Sequence, residues 1–257
     1  MTDPRALNPT GRFTDRTDDY VKYRPSYPSA AIDAIVAGLE GSAAGSAIRA
    51  ADVGAGTGIS ARLLAARGLS VLALEPNRAM REAAEPDPRI TWRDGTAEAT
   101  GLDLSSVDLV IAAQAFHWFR AAEALREFAR ILRPGGRIAL LWNRRKNDDP
   151  FTAGYRAAIL AVGAESAVER MEFDASVVAG VKLFSPLRRL AFDFEQKLDR
   201  AGLMGRARSA SYVPKTGPDA DKVAARLDEL YTRYADREGL VTLMYTTEVY
   251  LAETLGG

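Results

Sequence analysis

The chain is 257 residues long, with 34 Lys+Arg balancing 34 Asp+Glu, no Cys and a single His. Its length allows one large domain or two small ones and buries enough surface to fold without disulfide or metal staples. The composition excludes thiolate nucleophiles, thiolate zinc and iron–sulfur sites and multi-His metal centres, and the balanced charge gives no basic field for nucleic acid. Chemistry here must come from oxygen groups, Arg or Lys, the lone His, or a borrowed cofactor.

The N-terminal MTDPRALNPTGRF has an acid and two prolines where a signal peptide needs an apolar core. The aromatic-rich string DDYVKYRPSYP (18–28) reads as the end of an ordered arm, residues 1–30, leading into a helix at SAAIDAIVAGL (29–39). Then IRAADV (48–53), LSVLALE (69–75), RITWRD (89–94), VDLVIAA (107–113) and RIALLW (137–142) read as strands. Helical stretches SARLLAARG (60–68), NRAMREAAE (77–85) and AAEALREFARIL (121–132) separate them, with RPGG (133–136) as a break before the fifth strand. Continuous apolar strands alternating with helices predict a parallel sheet covered on both faces.

Residues 148–183 read mostly as helix, within an insertion or cap over 144–186. LRRLAFDFEQKL (187–198) and LVTLMYTTEVYLAE (240–253) read as late strands, separated by an amphipathic helix at 219–239. The expectation is a single α/β domain, a Rossmann-like, doubly wound seven-stranded sheet, mostly parallel with a late antiparallel strand. The longest apolar runs fall well short of a membrane span of ~20 residues. A cytoplasmic protein without a membrane partner is therefore expected.

DVGAGTG (52–58) follows the first strand and opens a helix, so the chain turns sharply and can approach a ligand closely. Ligand polar groups would then meet free N–H donors at the helix start. The glycines fall at 54, 56 and 58, with Ile at 59, which departs from the GxGxxG spacing of dinucleotide sites. Glu75 ends the second strand, 21 residues after Gly54, where a carboxylate can accept both hydroxyls of a ribose.

These strings resemble the class I S-adenosylmethionine-dependent methyltransferases. DVGAGTG is similar to their first motif, LALEPN (72–77) to the second, and DGTAEATGL (94–102) to the adenine-framing segment. VDLVIAAQAFHWF (107–119) is similar to the fourth strand and its loop, and REFARILRPGGRIAL (126–140) to the helix and strand that follow. YRPSYP, QAFHWF, WNRR and GLMGRARSASYVP further resemble the small-molecule branch that includes trans-aconitate methyltransferase-like enzymes.

The resemblance implies that Gly54, Ala55 and Gly56 face the cofactor's methionine and ribose portions, with Asp52 near its amino group. It puts the ribose diol on Glu75, Pro76 against the adenine, and Thr96, Ala97 and Glu98 at the adenine edge. Thr96 stands where many relatives carry Asp, which passes the adenine amino contact to a backbone group or Glu98. Gln114 follows the fourth strand and would meet the cofactor or the substrate, or be satisfied by backbone.

His117 is the candidate general base, beside Phe116 and Trp118 as substrate-pocket walls; packed among aromatics, it can equally be structural. Arg24 would pair with the cofactor's carboxylate or an anionic substrate through a bidentate fork, with Tyr20 roofing the pocket. RARSASY (206–212) reads as a second cationic lip or a solvated loop, and NRRK (143–146) as a surface turn.

The function expected is methyl transfer from S-adenosylmethionine, with S-adenosylhomocysteine as product, to a small molecule, in a monomer or homodimer. A carboxylate or other oxygen acceptor is favoured, with nitrogen or carbon open. A nicotinamide-dependent oxidoreductase and a non-catalytic cofactor-binding protein remain the alternatives.

Overall fold

An apolar strand flanked by amphipathic helices demands cover on both faces, and the chain supplies it. The computed structural model describes residues 17–39, 47–161, 173–210 and 212–255. In chain order the elements are α1 (Thr17–Tyr23), α2 (Ser29–Val36), β1 (Arg49–Val53), α3 (Ile59–Ala65), β2 (Ser70–Leu74), α4 (Arg78–Glu82) and β3 (Ile90–Arg93). There follow β4 (Val107–Ala113), a 3-10 turn (Phe116–Trp118), α5 (Ala121–Ile131), β5 (Leu132–Arg145), α6 (Pro150–Leu160) and α7 (Ser176–Val181). The last elements are β6 (Arg188–Leu198), α8 (Arg200–Arg208), α9 (Pro218–Tyr234) and β7 (Val241–Glu253).

The strands form one seven-stranded sheet in the order β3-β2-β1-β4-β5-β7-β6. The pairs β3–β2, β2–β1, β1–β4 and β4–β5 are parallel. The sheet is therefore mixed and mostly parallel, as the alternation of strands and helices predicts. After β3 the chain returns to place β4 beside β1, so the order reverses between these two strands. A doubly wound sheet opens its ligand crevice at the carboxyl ends of such a pair.

By contacts the chain divides into two compact units: residues 26–142, 172–192 and 247–257, and residues 1–25, 143–171 and 193–246. These boundaries differ from an arm at 1–30 and an insertion at 144–186. α7 belongs to the sheet unit because Val178 is buried in the same cluster as α5. Residues 162–172 of the expected insertion, and 1–16 of the expected arm, lie outside the described residues.

In the sheet unit, successive side chains of a strand enter opposite cores, as the period of two requires. Val110 and Ala112 of β4 join Leu125, Phe128 and Ile131 of α5. Leu109 and Ile111 join Ile32 and Ile35 of α2 and Leu64 of α3. Asp108 interrupts this run but is satisfied, accepting from Arg49 N at 2.8 Å and pairing with Arg133. Arg137 donates to the Ile35 and Ala37 carbonyls at 2.8 and 2.9 Å, closing the end of α2, and pairs with Glu253. RPGG is not a break: β5 begins at Leu132, and a shift of pairing against β4 absorbs the tetrapeptide as a bulge.

The other unit has its own core, in which Tyr155 and Ile159 of α6, Leu203 of α8 and Leu227 of α9 meet Leu243 and Tyr245 of β7. Asp149 caps α6 by accepting from Thr152 N at 2.7 Å. Asp199 caps α8 in the same way, from Gly202 N at 2.6 Å. No helix among the described residues is long and apolar enough to cross a membrane.

Phe128 is fully buried on α5 and meets Phe119 edge-on at 6.3 Å. Phe128→Ala should therefore cost about 3–5 kcal/mol, measured as a lower urea midpoint at unchanged m-value.

Candidate functional site

The site grows from the end of β1. After Val53 the chain turns through Gly54, Gly56 and Gly58 at φ of +70°, +59° and +80°, where a side chain is strained. Space forbids one as well: a Cβ on Gly54 would stand 2.7 Å from Ala115 Cβ, and one on Gly58 2.9 Å from the Trp92 ring. Four of the loop's donors are engaged within the protein rather than free, contrary to the sequence expectation. Gly54 N and Ala55 N both donate to Leu74 O, Gly58 N to Ala55 O and Gly56 N to Glu75 Oε2. The loop thus braces the next strand while exposing little of its own backbone polarity.

Glu75 is the object of that bracing. It is buried, with Oε2 accepting from Gly56 N at 2.9 Å and Oε1 from Asn77 N at 2.8 Å. Arg81 Nη1 donates to its backbone carbonyl. Burial raises the pKa of the carboxyl above the ordinary value, against the lowering effect of those N–H donors and Arg81. Each oxygen holds one donor and retains a lone pair for a second, the pattern a diol needs.

Asp52 lies one strand over and is fully buried. Its Oδ2 accepts from Ser60 Oγ at 2.6 Å, whereas its Oδ1 is buried without a hydrogen-bond partner. Burial pushes its pKa up to about 7, opposed by hydrogen bonds from Ser60 and the Ala61 backbone. Thr57 Oγ1, within the loop, is likewise buried and unpartnered. Native proteins rarely leave such atoms unsatisfied, and a ligand is one way to satisfy them. Sequence reasoning missed Thr57 and Ser60; the position of a hydroxyl on each side of the last glycine was the available signal.

Across the switch point, Gln114 follows β4 with φ of +57°, a left-handed backbone costing about 1–3 kcal/mol for a side chain of this kind. Its N–H donates to Leu141 O at 2.8 Å, so β5 holds the strained residue in place. His117 and Trp118 follow on the 3-10 turn, both half-buried, their rings 4.7 Å apart. Trp142 Nε1 donates to His117 Nδ1 at 3.4 Å, so the proton of a neutral ring is carried on Nε2. Phe116 is a core residue rather than a pocket wall, packed edge-on against Phe119 and Phe173.

The adenine-edge candidates separate. Pro76 is half-buried and Thr96 is exposed, while Ala97 is buried in the core with Phe116. Thr96 and Ala99 pair through their backbones. Glu98 accepts from Arg120 N at 2.7 Å, a carboxylate at the start of α5. That bond gives Glu98 a structural duty the sequence did not reveal.

Tyr20 and Arg24 fall in the other unit, apart from the loop residues in chain organisation. The Arg24 guanidinium lies over the Tyr20 ring at 4.6 Å and donates to Ser209 O at 3.3 Å. NRRK is not simply a surface turn: Asn143, Arg144 and Arg145 continue β5, and Arg145 lies over the Tyr155 ring at 5.1 Å. Within RARSASY, Arg206 is buried on α8 whereas Arg208 is exposed; Ser211 lies outside the described residues.

A methyltransferase domain family matches residues 51–140. An uncharacterised methyltransferase of Mycobacterium bovis is 44% identical over 134 residues, 52% of this chain and 52% of its own length. The chain thus spans about half the length of that relative. An uncharacterised methyltransferase-like protein of Schizosaccharomyces pombe is 31% identical over 222 residues, covering 84% of this chain and 85% of its own. Among solved structures, a protein from an antibiotic biosynthesis pathway of Anabaena variabilis superposes with a TM-score of 0.63. It is 24% identical and covers 90% of this chain and 98% of its own, a likeness of fold.

Asp52 makes the free protein's stability depend on pH. Its folded pKa of about 7 exceeds the unfolded value of 3.8, so the protonated form stabilises the fold at low pH. That contribution is lost as pH rises from about 4 through about 7. Asp52→Asn should flatten this part of the curve of melting temperature against pH, read by calorimetry.

Proposed function

Because the chain belongs to the class I S-adenosylmethionine-dependent methyltransferases, we propose that it transfers a methyl group from S-adenosylmethionine to a small-molecule acceptor. A carboxylate or other oxygen nucleophile is the favoured acceptor. The observation that carries the reading is the pair of buried acids at the glycine loop, one with an unpartnered oxygen and one held by two backbone donors.

The residues present fit the cofactor. Asp52 Oδ1 would accept from the cationic amino group, which answers the need of a buried carboxylate for a donor. Glu75 would accept from the ribose hydroxyls with its remaining lone pairs. Gly54, Ala55 and Gly56 would let the ligand approach the loop, and Pro76 would lie under the adenine. Gln114, fixed by its backbone at the switch point, would orient the methionine portion or the acceptor. Glu98 and Ala97 serve the loop and the core, so the adenine edge would fall to Thr96 and neighbouring backbone.

When bound, the cofactor supplies a methyl carbon whose bond to sulfur breaks with both electrons on sulfur as the acceptor oxygen bonds the carbon. The protein's task is then alignment and exclusion of water. His117 acts in that setting as a hydrogen-bond donor through Nε2 rather than as a base, since Trp142 already occupies its Nδ1 lone pair. A carboxylate acceptor is ionised at neutral pH and needs no base. Trp118 would shield the reacting centre beside it.

Titration calorimetry should register S-adenosylmethionine binding that Glu75→Gln weakens at least tenfold, about 1.4 kcal/mol. The affinity of the unmodified protein should rise between about pH 6 and about pH 8 as Asp52 ionises, and Asp52→Asn should abolish the rise. With methyl-labelled cofactor and a panel of carboxylates, His117→Gln should keep kcat within about tenfold. A loss in the general-base range, about 10²–10⁴-fold, would restore the base assignment. Binding without transfer to any acceptor would favour the non-catalytic alternative.

A further inference from the structure

The two edges of the sheet are built differently. β3, at one edge, runs only from Ile90 to Arg93, too short to pair at length with another strand. β6, at the other, runs from Arg188 to Leu198, and among the described residues β7 is the strand that borders it. Its outer side is therefore a row of backbone N–H and C=O groups that no described strand receives. Its sequence, RRLAFDFEQKL, holds neither the proline nor the glycine that commonly interrupts an edge.

Side chains alternate along β6. Leu190, Phe192 and Phe194 share one face and stay half-buried, a strip of apolar surface that the chain covers only in part. Arg189, Asp193 and Glu195 lie on the other face and are exposed. Arg189 pairs there with Glu248, and Asp193 with Lys146. Such a strand can complement its own reverse, and the register decides whether it does. Two copies related by a twofold axis normal to the sheet pair antiparallel and keep their faces aligned. Centred on Asp193, where the overlap is longest, the pairing sets Asp193 against itself and Arg189 against Lys197, both repulsive. Centred on Ala191, it brings Arg189 to Asp193, but the aligned stretch shrinks to 188–194. Centred on Phe192, it aligns residues 188–196 of each strand and sets Arg189 against Glu195 at both ends. Phe192 then meets its own copy, Leu190 meets Phe194, and Asp193 faces Ala191. No like charges stand opposite in this register.

We propose that β6 is the surface through which two copies of this chain pair edge to edge, in the register centred on Phe192. A second copy is the occupant because the complement that β6 needs is its own sequence reversed, and symmetry supplies the Arg189–Glu195 contact twice. Main-chain hydrogen bonds between the edges provide attraction, as in other additions of a strand to a sheet. The apolar row of Leu190, Phe192 and Phe194 is covered by its counterpart, and the charged row fixes the register. Arg189 would then stand between Glu248 of its own chain and Glu195 of the other, within reach of its several donors. The interface uses no residue placed at the cofactor site and is independent of the methyl-transfer reading.

Sedimentation equilibrium of the full chain tests this, with circular dichroism confirming that each variant folds. The protein should be dimeric at micromolar concentration. Glu195→Arg turns two attractive contacts into two repulsive ones and should weaken the dimer at least tenfold, as should Arg189→Glu. Combining Arg189→Glu with Glu195→Arg restores opposite charges and should recover most of the lost affinity. Because the chain has no Cys, one introduced thiol reports the register. The Phe192→Cys variant should cross-link to its own copy under mild oxidation. The Ala191→Cys variant should not, since its copies would lie diagonally at about 7–8 Å, beyond disulfide reach. A chain still monomeric at millimolar concentration, or a dimer that neither charge reversal weakens, would overturn the proposal. So would a double variant no tighter than the single ones, or cross-linking through position 191 in place of 192.

Discussion

A buried carboxylate must be hydrogen-bonded from the protein side before it can serve a ligand, and Glu75 shows what that demand imposes. Its two oxygens take N–H donors from opposite sequence directions, Gly56 in the loop after β1 and Asn77 at the start of α4. To bring Gly56 there, the loop turns through left-handed backbone, and Gly54 and Ala55 bond inward to Leu74 while Gly58 bonds back to Ala55. The parallel pairing of β1 with β2 then fixes Asp52 beside Ala73, two residues before Glu75. One electrostatic requirement therefore sets the loop conformation, the register of two strands and the position of the second acid.

Strain at the facing strand end complements this arrangement. Gln114 holds a backbone that side-chain-bearing residues avoid, and Leu141 on β5 anchors it. Rigid strands carry the cost because both sheet faces are covered. The same cover lets Trp142 meet His117 from within the sheet unit.

Much of this is legible in the amino-acid sequence. The period of two in VDLVIAA and the helical period in AAEALREFARIL identify the sheet and its cover, because those patterns report burial directly. The loop and Glu75 were legible from spacing. What escaped depended on contacts between segments distant in sequence. RPGG reads as punctuation, yet pairing to β4 absorbs it as a bulge. The commitment of Phe116 to the core depends on Phe173, and that of Glu98 on the Arg120 backbone, neither of which a local pattern reveals. α8 was missed because Gly202 and Gly205 depress helix propensity, each by roughly 1 kcal/mol relative to Ala.

The glycine at 205 has a reason: a Cβ there would lie 2.1 Å from the Tyr23 ring. Tyr23 and Gly205 immediately precede Arg24 and Arg206, so a single ring-on-backbone contact indexes both cations against one another. Positions 23 and 205 should accordingly drift through evolution as a volume-conserving couple, a larger residue at one admitted only with a smaller at the other. A lineage that breaks the couple also displaces its charged neighbours. Charge placement in this unit can therefore shift without any change to an arginine.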